Sequence, residues 1–331
     1  MNILSRIVGS LHRRVLAIPA VKTISVYWYD VKRFCHSSGC FRWRNEEATK
    51  ARMIMAYHVI EKGLTMPRRR LDFGHEAVLN LISIVDEFNA KFGDDAQVQH
   101  AAGVVKAYKE LHEVAGFRID ANDPFWKTVL DFCKRHAANV AVQKHFTKAS
   151  FFADKIKSFP EFARSRHTVR HFIGNVADDD LKSIIGLAMT APSACNRQHV
   201  RVHCVSSAEK KAQVLALQQG NRGFGADADR ILVVTVDLED VRWAEERNDI
   251  YTNAGIFLMN LCYAIHYYGY GSCILNWSVD SIADRKLRRL CPTVLDRESV
   301  VVLVAVGPVP ETFDVASSPR KSISEILFYE D

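Results

Sequence analysis

Residues 166–172 carry side chains that suit phosphate binding. The run reads Arg-His-Thr-Val-Arg-His-Phe, so Arg166 and Arg170 lie four positions apart with the hydroxyl of Thr168 between them. An extended or turning segment of this kind can direct two guanidinium groups at one phosphate, because their planar forks match phosphate oxygens. Taken alone, the run also fits a solvated basic stretch, since charged residues are mostly exposed.

A second polar segment, residues 191–198, follows a predicted helix and precedes a predicted strand. It contains Pro192 and Ser193, and a Pro-Ser turn at the end of a helix leaves backbone amides and carbonyls free. Asn196 and Gln198 each add a hydrogen-bond donor and an acceptor. These groups suit the rim of a heteroaromatic ring.

No catalytic side chain and no metal site are predicted from the residue pattern. The histidines near the second segment are spread over a loop, a strand and a helix, which gives no metal-ligand spacing. They are His199, His203 and His266. The sequence also shows no convincing Ser-His-Asp triad and no paired carboxylates.

The two polar segments resemble, in order, two motifs of the FMN-dependent nitroreductase family, also called the nitro/flavin reductase superfamily. The family's Arg-Arg-Ser-x-Arg-x-Phe is similar to residues 166–172, with conservative departures at its second and third positions. Its Ala-Pro-Ser-x-x-Asn-x-Gln-Pro-Trp is similar to residues 191–198, although His199-Val200 replaces Pro-Trp. At this departure the resemblance does not carry the family's substrate or dimer contacts over to this chain.

Two later segments extend the resemblance to about residues 160–331. Residues 268–277 resemble the glycine-rich turn that follows the family's long central helix. Residues 304–308 and 319–323 resemble the family's last core strand and its trailing Pro-Arg-Arg/Lys-Pro-Leu. Nothing before residue 160 is similar to the family core.

The resemblance implies that the chain binds FMN noncovalently. The residues that would hold its phosphate and ribityl chain are Arg166, Thr168, Arg170 and Arg320, with His167 contributing mainly its backbone. A buried phosphate dianion needs several cationic or hydroxyl donors, which these residues provide.

The resemblance also implies a homodimer with FMN sites at its interface. The loop that carries Pro192, Ser193 and Asn196 would approach the flavin from the partner subunit. The residues that would lie against the isoalloxazine ring are Ile274, Leu275 and Asn276. A backbone amide at Asn276 or Trp277 would donate to the flavin nitrogen that accepts hydride.

Family membership implies an oxidoreductase that works by a ping-pong mechanism. NADH or NADPH would reduce FMN and leave, and a small organic acceptor of the nitro, quinone or enone type would then enter the same pocket. Two alternatives stay open. One is a noncatalytic or flavin-consuming relative, because one fold hosts several functions. The other is a peripheral membrane or assembly protein that acts through its basic N-terminus.

The helices and strands that the sequence predicts around these segments indicate an α+β fold. The run 299–306 is almost wholly apolar, as expected of a strand that is buried on both faces. The predicted strands are 200–205, 231–236 and 299–306, and the predicted helices are 45–62, 75–92, 95–113, one opening at Asp123-Pro124, 180–190, 248–268 and 280–290. We expect a nitroreductase-like central sheet flanked by helices in residues 160–331, and a mainly helical extension in residues 1–159.

Charge is distributed unevenly along the 331 residues. The net charge is +6, but residues 1–70 hold 14 Lys and Arg against 4 Asp and Glu. Arg6, Arg13 and Arg14 interrupt an apolar N-terminus that would form a basic amphipathic helix, either packed on the protein or in weak peripheral contact with a membrane. Dispersed cysteines, Cys35 and Cys40 among them, indicate reduced thiols in the cytoplasm. No nucleic-acid partner is expected.

The helical extension contains a further polar run at residues 58–70. It includes Glu61, Gly63 and the triple arginine Arg68-Arg69-Arg70. The two interpretations are an anion site for a nucleotide or sugar-linked substrate and a solvated turn between helices. Because only residues 238–248 separate the second predicted strand from the long helix, we expect the extension to cover the flavin pocket, or else to pack elsewhere as a stabilising module.

Overall fold

The chain folds into two compact units in a computed structural model that describes residues 18–41, 44–136, 138 and 140–330. The first, here called the sheet unit, contains Gly174–Pro308 and the described part of residues 1–43. The second, here called the helical unit, contains Arg44–Ile173 and Val309–Asp331. The predicted basic helix with Arg6, Arg13 and Arg14 lies outside the described residues.

The described elements confirm the predicted α+β class. The helices are α1 Pro19–Ser37, α2 Glu46–Leu64, α3 His75–Phe92, α4 Ala96–Val114, α5 Pro124–Arg135, α6 Lys148–Phe151, α7 Phe159–Ser165, α8 Asp178–Ala188, α9 Ala208–Leu215, α10 Asp249–Tyr267 and α11 Ser281–Leu290. The strands are β1 Gln143–Thr147, β2 Val200–Val205, β3 Arg230–Asp237, β4 Gly271–Asn276, β5 Glu298–Gly307 and β6 Thr312–Ala316. No helix among these described residues combines the length and the apolar character that crossing a membrane requires.

The helical unit is built on α2 to α5, whose apolar faces form one core. Asp95 and Asp123 begin α4 and α5 by accepting hydrogen bonds from two backbone amides each, which satisfies donors that a helix start leaves open. Met53 of α2, Leu81 of α3 and Tyr108 of α4 are fully buried in this core. The predicted helices of the extension are therefore confirmed to within a few residues.

A two-stranded antiparallel sheet in the helical unit was not expected from the sequence. In it β1 pairs with β6, so that Lys144 lies opposite Val315. The pairing joins segments that are far apart in the sequence. It holds the stretch that leads to Arg320 in the helical unit.

The sheet unit contains a four-stranded antiparallel sheet in the order β2-β3-β5-β4. The three predicted strands are confirmed as β2, β3 and β5. The expected glycine-rich turn is shorter than the resembling segment, because β4 begins at Gly271 and forms an edge of the sheet. Helices α8 and α10 cover one face, where Ile184 and Leu261 pack against Leu232.

Helix α1 is bound to the rest of the sheet unit through ion pairs. Arg247 donates two hydrogen bonds to Asp30, and Lys22 lies 2.7 Å from Glu245. The helix also carries large apolar side chains that are exposed. They include Ile24, Tyr27, Trp28, Val31 and Phe34.

Candidate functional site

Segment 166–172 follows the short helix α7 and is held by two apolar anchors. Arg166 ends the helix in an extended conformation, with φ −71° and ψ 119°. Val169 and Phe172 are buried, which fixes the backbone between the polar residues. The predicted phosphate ligands are thus carried on an irregular segment whose path is set by packing.

Three cations gather around His167 in the helical unit. Burial and, to a smaller extent, the charges of Lys144, Arg166 and Arg320 together lower the pKa of His167 to about 4. In the part of the chain that the structure describes, none of the three forms an ion pair with a carboxylate. The Nε of Arg166 is buried without a hydrogen-bond partner. This cationic cluster, Lys144, Arg166 and Arg320, can therefore accept an anion.

Lys144 belongs to this cluster although it was not among the residues predicted from the sequence. The side chain comes from β1, and the pairing of β1 with β6 places Lys144 near the stretch that ends at Arg320. Arg320 also donates to the carbonyl of Ser318 at 2.5 Å. A pairing preference between residues 143–147 and 312–316 is the signal that could have revealed it.

Arg170 has a different environment from Arg166. Its side chain is only 8% exposed, and its Nη2 lies 3.3 Å from Nε2 of His58. His58 in turn donates from Nδ1 to Glu61 at 3.4 Å, when the proton is assigned to that nitrogen. Arg170 is thus connected through His58 to a buried carboxylate, while its own Nε has no hydrogen-bond partner.

Glu61 is the centre of this buried network. Its Oε1 lies 2.6 Å from Nε2 of His100, which is buried as well. Burial raises the pKa of Glu61, but the hydrogen bonds with His100 and His58 outweigh it and hold that pKa below its usual range. Glu61 therefore stays ionised at neutral pH.

The remainder of the 58–70 run is accounted for by packing and pairing. A Cβ on Gly63 would lie 2.5 Å from the ring of Phe73, so only glycine permits this approach. Arg69 forms an ion pair with Asp314. The guanidinium of Arg69 is therefore already neutralised, which favours the structural interpretation at that position.

The loop of residues 192–198 in the sheet unit has a strained backbone. Cys195, Asn196 and Gln198 have φ values of 53°, 55° and 54°, in the left-handed region. Such conformations cost roughly 1–3 kcal/mol each and cluster at functional sites. Ser193 Oγ accepts from the Gln198 amide at 3.0 Å, and the Asn253 side chain accepts from the Ala194 amide at 3.2 Å.

Arg197 fastens this loop to the rest of the sheet unit. Its guanidinium donates to both oxygens of Glu246, at 2.9 and 3.0 Å, and to the carbonyl of Asp240 at 2.7 Å. The hydrogen bond with Arg197 and, next, a backbone hydrogen bond from Arg242 lower the pKa of Glu246 to about 2. Arg197 is therefore a structural ion-pair partner rather than an open anion ligand.

The strand β4 displays its predicted ring-contacting residues on both faces. Ile274 is 43% exposed, whereas Leu275 is 3% exposed and points into the core. The side-chain amide of Gln218 donates to the backbone carbonyl of Asn276 at 3.0 Å and to its side chain at 3.2 Å. The side chains of Ile274 and Asn276 therefore share the outer face, because side chains alternate along a strand.

The predicted flavin ligands belong to both units. Arg166, His167, Thr168, Arg170 and Arg320 are in the helical unit, and Pro192, Ser193, Asn196, Ile274, Leu275 and Asn276 are in the sheet unit. The charges of Arg166 and Arg320 both lower the pKa of His167. It places the loop before β2 and the strand β4 at opposite edges of one sheet. Assignment of all eleven to one cofactor stays a prediction.

Fold and site together define an α+β protein with an open cationic cluster. Residues 163–219 match the model of the nitroreductase family, which confirms the family resemblance of the sequence. The match includes both segment 166–172 and the loop of residues 192–198. No curated protein matches the chain.

Solved structures similar to this chain include three with nitroreductase names. One is an FMN-dependent nitroreductase from Clostridium difficile, with 20% identity, covering 51% of this chain and 98% of that chain, at a TM-score of 0.41. Another is a nitroreductase family protein from Streptococcus pneumoniae, with 23% identity, 52% and 100% coverage and a TM-score of 0.45. The third, from Exiguobacterium sibiricum, is named as a nitroreductase in complex with FMN, with 17% identity, 53% and 98% coverage and a TM-score of 0.47.

Proposed function

We propose that this protein is an FMN-dependent oxidoreductase that uses NADH or NADPH to reduce a small organic acceptor. The observation that carries the proposal is the cationic cluster around His167, which has no carboxylate partner within the described residues. Arg166 of this cluster lies in the segment that matches the nitroreductase family. FMN is the phosphate-bearing cofactor that this combination favours.

The donors of the helical unit fit the phosphate end of FMN. The buried Nε of Arg166 lacks a hydrogen-bond partner, so this donor is available for a ligand. Lys144, Arg166 and Arg320 would neutralise the phosphate, and the hydroxyl of Thr168 would donate to it or to the ribityl chain. Arg170 is held by His58 and would support the same end of the cofactor.

FMN, when bound, supplies the hydride chemistry, so the chain needs no acid–base triad of its own. The protein's part is to hold the phosphate, to orient the ring and to shape an acceptor pocket. Neutral His167 suits this task, because a depressed pKa avoids adding a fourth charge among three cations. A nitro, quinone or enone-like acceptor and a ping-pong order complete the proposal.

A homodimer is part of this proposal. Ser193 precedes β2 and Asn276 ends β4, and these strands are the two edges of the four-stranded sheet. Three strand spacings separate the edges, about 14 Å at the usual spacing. One flavin ring would contact the Ser193 segment and the Asn276 segment more readily if the two segments came from different subunits. Mass measurement in solution tests this, and a monomer with stoichiometric FMN would contradict it.

The experiment that tests FMN binding is an Arg166→Ala/Arg320→Ala double variant. Each charge-assisted hydrogen bond contributes roughly 1.5–3 kcal/mol, so the Kd for FMN should rise by about 100-fold or more. The control variant Lys155→Ala/Lys321→Ala also removes two positive charges, but at positions away from His167. It should keep its flavin. Full retention of flavin by the double arginine variant, measured by absorbance after desalting, would overturn the proposal.

A further inference from the structure

Helix α1 carries an exposed apolar stripe along one side. No residue of this 19-residue helix is buried. Its large apolar side chains occur at positions i, i+3, i+4, i+7 and i+10, which is the pattern of one helix face. They form the apolar stripe, which consists of Ile24, Tyr27, Trp28, Val31 and Phe34, each 45–70% exposed. Single exposed apolar side chains are ordinary, whereas a contiguous group of them marks an interaction surface.

Two ion pairs hold α1 on the rest of the sheet unit by a different side. Lys22 lies 2.7 Å from Glu245, and Asp30 accepts two hydrogen bonds from Arg247. Lys22, Val26 and Asp30 are spaced four residues apart and are half-buried, so they mark the side that contacts the sheet unit. The helix is therefore held with its apolar stripe on a side that this contact does not cover.

The cations of α1 that have no carboxylate partner lie beside exposed aromatic rings. The Nζ of Lys32 lies 5.8 Å from the centre of the Trp28 ring. The guanidinium of Arg33 lies 5.5 Å from the centre of the Tyr29 ring. Among the described residues, neither cation forms an ion pair, whereas Asp30, the one acidic residue of the helix, is already paired. The surface that α1 presents to solvent is therefore apolar, aromatic and cationic.

The segment that anchors α1 begins with the same combination of an aromatic ring and a cation. Trp243 is 51% exposed, and the guanidinium of Arg242 lies 4.5 Å from the centre of its ring. This pair directly precedes Glu245 and Arg247 in the chain. Tryptophan and tyrosine favour the boundary between a membrane and water, because one end of the side chain is apolar and the other is polar. Lysine and arginine near that boundary are attracted to anionic lipids.

We propose that this surface, the apolar stripe of α1 with the Arg242-Trp243 pair, binds a membrane that contains anionic lipids. The helix lies in the plane of the membrane surface, with the stripe inserted among the headgroups and with Lys32 and Arg33 at lipid phosphates. A second copy of the stripe is a poorer partner, since a two-fold contact joins the same patch on both copies and brings like charges together. The contact uses α1 and not the basic segment before residue 18, which lies outside the described residues.

The test is flotation of the full-length protein with vesicles of phosphatidylcholine mixed with phosphatidylglycerol, and with vesicles of phosphatidylcholine alone. The protein should float with the mixed vesicles, and added salt should weaken the binding. Trp28→Gln/Val31→Gln replaces two residues of the stripe by a polar helix former and should lower the partition coefficient about tenfold or more. Lys32→Gln/Arg33→Gln should lower it by a similar factor on the mixed vesicles.

Control variants make the same changes at exposed helical positions elsewhere. Met55→Gln/Val59→Gln on α2 replaces two exposed apolar residues, and Arg285→Gln/Lys286→Gln on α11 removes two adjacent exposed cations. Both should bind the mixed vesicles as the wild type does. Trp28→Phe keeps an apolar ring, so it should retain binding and show a smaller blue shift of tryptophan fluorescence on the vesicles.

Several results would overturn the proposal. They are no binding to the mixed vesicles, equal binding to phosphatidylcholine alone, and unchanged binding of both α1 double variants. If Trp28→Gln/Val31→Gln sediments as a smaller species than the wild type without vesicles, a second copy covers the stripe and the proposal is wrong. If one α1 double variant fails to fold by circular dichroism, the other decides the question. None of these outcomes depends on FMN, so they leave the proposed function to its own test.

Discussion

Arginine has opposite roles in the two segments that match nitroreductase motifs. In the sheet unit, Arg197 is bound by both oxygens of Glu246 and by a backbone carbonyl. In the helical unit, Arg166 is one of three cations whose charges lower the pKa of His167, and its Nε lacks a hydrogen-bond partner. A guanidinium whose donors are all paired stabilises the fold, whereas one with an unpaired donor has capacity for an anion, which is the role we propose for Arg166. Motif spacing alone does not distinguish the two roles.

The largest expected effect concerns the buried carboxylate of the helical unit. Glu61 forms hydrogen bonds with His100 and His58 and not with the cationic cluster. Because breaking a buried pair leaves polar groups unpaired, Glu61→Ala should lower the free energy of unfolding by about 3 kcal/mol. Denaturant unfolding at pH 7 measures this. Glu113→Ala removes an exposed helical partner of Lys109 and should change stability by less than about 0.5 kcal/mol.

The contribution of Glu61 should depend on pH in one direction. Its pKa is lowered in the folded state, so its stabilisation is complete above the usual carboxyl pKa of 4.5 and is lost as the pH falls below it. The stability difference between wild type and Glu61→Ala should therefore shrink in acid. A difference that is constant down to pH 3 would show that the carboxylate charge is not what stabilises this network.

The second effect sharpens the comparison of the two arginines directly. Arg197→Ala should cost about 2 kcal/mol of stability, since it removes charge-assisted hydrogen bonds from Glu246. Arg166→Ala should cost none in the flavin-free protein, because it relieves repulsion among Lys144, Arg166 and Arg320. Paired denaturation curves measure both. Equal losses in the two variants would remove the distinction between a structural and an anion-binding arginine.

The smallest effect is a shift in the titration of His167. Its pKa is lowered to about 4 from 6.5, so the neutral ring is favoured, and the fold loses stability as the pH falls from 6.5 towards 4. NMR titration should show this pKa rising in Arg166→Ala and after addition of FMN, since both reduce the positive potential at the ring. Lys321 lies next to Arg320 in the sequence but is paired with Glu47. The control variant Lys321→Ala should therefore leave the His167 titration unchanged.

Much of the site was accessible from the sequence, but not its internal organisation. The charges of the predicted ligands Arg166 and Arg320 both act on His167, and the loop of residues 192–198 has an unusual backbone, whereas their binding of flavin stays a prediction. Lys144 was missed, because its place in the cluster follows from the pairing of β1 with β6. An anion site in the run of residues 58–70 was one of two interpretations, and Arg69 of that run is neutralised by Asp314, which is far away in the sequence.

The sequence by itself determined seven of the eleven described helices, three of the four strands of the large sheet and the resemblance of residues 163–219 to the nitroreductase family. Those features follow from local periodicity, capping residues and short motifs, which neighbouring residues specify. Only the tertiary structure decided which cations are neutralised, which polar atoms remain unpaired and which large apolar side chains of α1 are exposed. The reason is that charge partners and burial depend on contacts between segments far apart in the chain, such as Arg197 with Glu246 and β1 with β6.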